Sequence, residues 1–205
     1  MIPRMTLLAV ALIPAAAAQE GGLADTILTF LGPARSTEFT QQGRLKQYVL
    51  NTVGPVPLLG EAASAGIMQW RDVPLEWGQG WGAYAERYAN NLGFNMVRQS
   101  IAYGTSIAMG EDDRYFASQA DGVWPRTRHA LVSTFTARHR NGHVGFSVSS
   151  VAGVVGANAI AFSWRPDSRR GVDHFAANVG ISFAATAAFN VMREFLPDML
   201  HRPRR

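Results

Sequence analysis

The densest cluster of side chains able to do chemistry is Glu111-Asp112-Asp113-Arg114-Tyr115. Three adjacent carboxylates supply the oxygen ligands that a hard cation takes. They lack the alternating spacing of a calcium loop, and Arg114 stands beside them, so a salt-bridged loop is expected here and no metal is assigned. His139 and His143 are four residues apart, a metal-ligand spacing on a helix, but Asn141-Gly142 between them should end that helix and separate their faces. The absence of cysteine removes disulfides, thiolate metal sites and cysteine nucleophiles. There is no Gly-x-Ser-x-Gly elbow and no glycine-rich phosphate loop, and no cofactor is implied.

A second constellation is Asn141-Gly142-His143 followed by Arg169, Arg170, Asp173 and His174. It is loosely similar to membrane phosphatases of the phosphatidic-acid phosphatase type, which use a Gly-His pair, an Arg, a His and an Asp to form and hydrolyse a phosphohistidine. The resemblance implies that Arg169 and Arg170 bind phosphate while His143 or His174 attacks it. The sequence departs from that pattern: Asn-Gly-His replaces Ser-Gly-His, and no Lys-Arg-Pro element exists because Lys46 is the sole lysine. A degenerate phosphohydrolase is thus one alternative, and the leading expectation is a non-enzymatic protein.

The elements that must position these residues read as helices. Residues 38–51 form a helical pattern that Ser36 or Thr37 could cap and Gly54-Pro55 ends. An apolar stretch covers residues 56–70, and a long helix runs from Trp81 to about Met109, stopped by Gly110. Residues 111–125 read as a charged loop and 126–139 as a helix. Residues 144–164 carry no charge, and residues 174–192 are nearly charge-free before Arg193-Glu194-Phe195-Leu196-Pro197. No sustained alternation of the β type appears, so the fold class expected is mainly α, a compact bundle of small-residue-rich helices in a single domain over residues 38–199.

Ahead of that domain, Arg4, the apolar run 5–13, Pro14 and Ala15 to Ala18 read as a secretory signal cleaved after Ala18. Residues 19–37 then read as an arm with one short helix, and residues 200–205 as a basic tail. The formal net charge is +4, with the arginines scattered and no recognition motif, so no nucleic-acid partner is expected.

Several rows of small residues recur at a spacing of four: Gly145, Ser149, Gly153, Ala157 and Ala161; Ala176, Gly180, Ala184 and Ala188; Ser100, Gly104 and Ala108; and Ala85, Ala89 and Gly93. Residues so spaced share a helix face and let backbones approach, as in membrane bundles. Trp70, Trp77, Trp81, Trp124 and Trp164 all fall at segment ends, where indole rings in a membrane protein meet the headgroups. Three spans with an outside N-terminus would place five and four basic residues inside and three outside. Against this, Arg98 lies mid-helix and must find internal partners, and the mean hydropathy of the whole chain is near zero.

The stretch Gly110-Glu111-Asp112-Asp113-Arg114-Tyr115-Phe116, with Trp81-Gly82-Ala83-Tyr84 upstream and Glu194-Phe195-Leu196-Pro197 downstream, resembles a group of exported helical proteins of Gram-negative bacteria, acidobacteria among them. The resemblance implies export and helical architecture and carries over no catalytic residue. The expectation is therefore an exported, membrane-associated envelope protein with a lipid or an envelope protein as partner. The alternative is a soluble periplasmic binding module whose contact surface is Trp77, Trp81 and Glu111, Asp112, Asp113, Arg114 and Tyr115.

Overall fold

A computed structural model describes residues 28–29, 31–34 and 40–200. The expected signal, Ser36, Thr37 and the tail beyond residue 200 lie outside the described residues, as does most of the arm. The fold is mainly helical: α1 (Gln41–Val53), α2 (Pro55–Trp70), α3 (Trp81–Met109), β1 (Glu111–Asp112), α4 (Val123–Val132), β2 (Thr136–His139), β3 (Val144–Phe146), α5 (Val148–Ala161) and α6 (Val172–Leu200). Thr40 caps α1 by accepting from the Gly43 N–H at 3.1 Å, and Gly54-Pro55 turns the chain directly into α2. Gly110 ends α3 in the left-handed region with φ 65°, which glycine reaches without a Cβ penalty.

The long helix α3 is the axis. Arg44 reaches Ser106 and Asn95 reaches the carbonyls of Asn51 and Thr52, while Asn91 and Tyr84 reach the carbonyls of Glu61 and Ala62. Hence α1 covers the C-terminal half of α3, α2 covers the N-terminal half, and both run antiparallel to it. Helix α5 packs antiparallel on another face and α6 runs parallel, since Phe175 meets Phe162, Thr186 meets Arg98, and Glu194 meets Tyr115.

Two sequence expectations are corrected. Residues 126–139 are not one helix: α4 stops at Val132, and Thr136 to His139 is a strand whose Ala137 pairs with Gly145 across the Asn141-Gly142 turn. With φ 80°, Gly142 permits that reversal. The charge-free stretch 144–164 is likewise a strand, the Ser147 cap and a helix of 14 residues, about 21 Å and too short to span a membrane of about 30 Å. Among the described residues, α6 is the helix long and apolar enough to cross a membrane.

The small-residue rows divide by environment. Ser149, Gly153, Ala157 and Ala161 of α5 are buried against α3. A Cβ on Gly153 would stand 2.9 Å from the Ala102 Cβ and 3.0 Å from the Arg98 carbonyl oxygen, so the two backbones touch. Gly153→Leu is therefore expected to destabilise by about 1–3 kcal/mol through overpacking. Gly104→Ala, on an open face of α3 with nothing within 4 Å, should stabilise by about 0.5–1 kcal/mol. Thermal melting of the two variants checks both signs. Ala176, Gly180, Ala184 and Ala188 of α6, in contrast, face outward.

Candidate functional site

The three adjacent acids take three different partners. The Glu111 side chain, fully buried, accepts from the Val148 N–H at 3.0 Å and the Ser149 N–H at 2.9 Å, placing a carboxylate on the N-terminus of α5. Asp112 holds Arg114 through both oxygens, at 2.8 and 2.7 Å, in the salt-bridged arrangement expected. Asp113 keeps exposed surface and lines the cavity described below, where desolvation pushes its carboxyl above the ordinary carboxylate range, its own backbone opposing that and the charge of Asp112 adding to it. The acids thus diverge, and no group of three metal-ligating side chains occurs among the described residues.

Next along the chain, Tyr115 is buried and donates to Glu194 Oε2 at 2.5 Å. Burial, then the bond to that carboxylate, push its phenol far above the usual range and keep it a donor. Glu194, itself fully buried, also accepts from the Ser118 N–H at 2.9 Å and Arg126 Nε at 2.9 Å. His129 donates through Nε2 to the Phe116 carbonyl at 3.0 Å. These contacts press the segment 113–118 between α4 and α6.

Behind that segment lies a cavity of about 610 Å³ at the α1–α2 bend. Glu61 of α2, Arg98 of α3, Asp113 and Arg193 of α6 all face it, with Asn95, Thr186 and Asn190. Arg98 finds its internal partner in the Thr186 hydroxyl, 2.9 Å away. The Arg193 guanidinium lies 4.5 Å from the Phe189 ring, and its buried Nε has no hydrogen-bond partner.

The other sequence candidates are scattered. Trp77 and Trp81 stand at the start of α3 and Glu111 to Tyr115 beyond its end, separated by 29 helical residues or about 43 Å. They do not form one contact surface. His143 sits in the hairpin beside Gly110, where the Arg140 N–H donates to the Gly110 carbonyl. Arg170 and His174 lie near Trp164, whose indole donates to Asn90, so they are about 30 Å from His143 along α3. Arg170 pairs with Asp167 at 2.7 Å and His174 lies 3.9 Å from Asp173. Arg169 falls in the same short turn, and the structure does not assemble the phosphatase-like set. His139 and His143 do meet, contrary to the helix-based expectation: the hairpin brings both rings over Gly145, where a Cβ would lie 3.1 and 3.4 Å from their nitrogens.

Sequence reasoning missed Glu61 and Arg193, which no motif marks. Charged residues in helices otherwise poor in charge were the available signal. No protein-family model, curated protein or solved structure matches the chain.

Proposed function

We propose that the protein is a non-enzymatic component of a bacterial cell envelope, exported through its N-terminal segment and embedded in the membrane through α6. The observation that carries this reading is the inverted distribution of polarity. Of the six largest fully buried side chains among the described residues, Arg87, Glu111, Glu194, Val154, Asn158 and Thr134, only Val154 is apolar. Large apolar side chains lie outside instead, among them Ile181 at 65% and Met199 at 80% exposure on α6. Only 6% of the apolar window of that helix is buried. Water disfavours such a surface at about 25 cal/mol per Å², and lipid does not. Trp70 and Trp81 add two indoles at one end of the bundle, 85% and 88% exposed, and Trp124 stands exposed at the start of α4.

Membrane fractionation of the expressed full chain tests the reading. Retention through a carbonate wash and release by detergent, with an intact mass starting at Gln19, is the expected result. Release by osmotic shock overturns the membrane assignment and favours the soluble periplasmic binding module, for which the internal cavity is the supporting observation.

A further inference from the structure

We propose that the cavity between α2, α3 and α6 is a binding site for a molecule carrying a phosphate monoester, held by Arg98 and Arg193. The inference goes beyond envelope localisation and does not depend on it.

Two features separate these arginines from the others that stabilise the fold. Arg87, Arg114 and Arg126 each have carboxylate partners, in Asp72, Asp112 and the Glu194–Asp198 pair. Among the described residues, no ion pair engages Arg98 or Arg193. Each guanidinium carries five N–H donors and cannot be deprotonated to relieve the lack of acceptors. Arg98 uses one donor on the Thr186 hydroxyl, and the Arg193 Nε is buried without an acceptor. A bound anion is one partner that satisfies a buried donor in that condition.

The two arginines come from different helices and face one cavity, with Phe189 stacked 4.5 Å from the Arg193 guanidinium to fix its plane. Two guanidinium forks lining one cavity match a dianion with several oxygens, the charge and shape of a phosphate monoester. Thr186 positions Arg98 by accepting from it while donating to the Ser182 carbonyl, so the charged donors of the site are the two guanidiniums. The volume of about 610 Å³ exceeds the needs of phosphate alone and falls within the range of small-molecule sites, so an organic body accompanies the anion.

Glu61 and Asp113 also face the cavity without forming ion pairs to the arginines. Their charges oppose a bound anion, and Asp113, which acts electrostatically on both Arg98 and Arg193, opposes it most directly. The site therefore predicts opposite effects for substitutions on its two charge types, a pattern that loss of packing does not produce.

The test is calorimetric titration of the full chain in detergent micelles with inorganic phosphate, and in phosphatidylcholine nanodiscs with and without phosphatidate. Saturable binding of phosphate identifies a free phosphate compound as the source. Saturation only in phosphatidate nanodiscs identifies a lipid headgroup. In either case Arg193→Gln and Arg98→Gln are expected to weaken binding about tenfold or more, and Asp113→Asn to strengthen it severalfold. If the arginine variants do not fold by circular dichroism, Asp113→Asn decides alone. The absence of saturable binding to either probe, or equal binding by wild type and Asp113→Asn, overturns the proposal.

Discussion

Replacing Glu194 with alanine is expected to destabilise the protein by about 3–5 kcal/mol, because it strands two buried donors and removes a carboxylate from Arg126. The carboxylate is fully buried and collects Tyr115 Oη, the Ser118 N–H and Arg126 Nε from two separate segments. Removing it leaves a phenol and an amide without an acceptor and takes one of two carboxylates from Arg126, which keeps Asp198. Tyr115→Phe, which deletes only one of those bonds, should cost about 1–1.5 kcal/mol, and the pair in a double-mutant cycle should be strongly non-additive. Equilibrium unfolding monitored by tryptophan fluorescence reads both. The loss should also reach the cavity, since Asp113, Tyr115 and Phe116 form its wall.

Arg87→Leu is expected to have an effect of similar size, about 3–5 kcal/mol, at the opposite end of the bundle. Arg87 is fully buried and fastens the α2–α3 connection from inside: Nε donates to the Val73 carbonyl at 2.8 Å, one terminal nitrogen donates to Gln69 at 2.5 Å and the Gly78 carbonyl at 2.9 Å, and the other donates to the Pro74 carbonyl at 3.1 Å. Leucine fits the apolar stem and satisfies none of the carbonyls. Lysine keeps the charge but, with a single ammonium in place of a planar fork, should recover less than half of the loss. Limited proteolysis provides the readout specific to this site, with new cleavage expected between residues 71 and 80 in Arg87→Leu and none there in the wild type.

Local patterns carried much of the architecture. Gly54-Pro55, Gly110 and the run from Trp81 to Met109 mark element ends through backbone chemistry that a sequence displays directly. The buried row Ser149, Gly153, Ala157, Ala161 was visible as spacing, and so was the pairing of Asp112 with Arg114. Spacing does not say which row faces a neighbour, however, and the equivalent row on α6 points outward. In the sequence the hairpin at Asn141-Gly142 looks like a helix end because its strands are only four and three residues long, too short for alternation to register. The candidate site was the least legible part. Glu111 caps a helix that begins 37 residues later, and Glu61, Arg98, Asp113 and Arg193 converge only through tertiary packing.

The bond from Glu194 to Tyr115 joins residues 79 positions apart, whereas the Gly153 contact links helices that precede α6 entirely. The two contacts therefore depend on different lengths of chain. The α3–α5 contact needs the chain only to residue 161, but the Tyr115 hydroxyl and the Ser118 N–H take their acceptor from the last helix. The arginine-lined cavity likewise takes part of its wall from α6, so the last helix completes both the carboxylate anchor and the chamber.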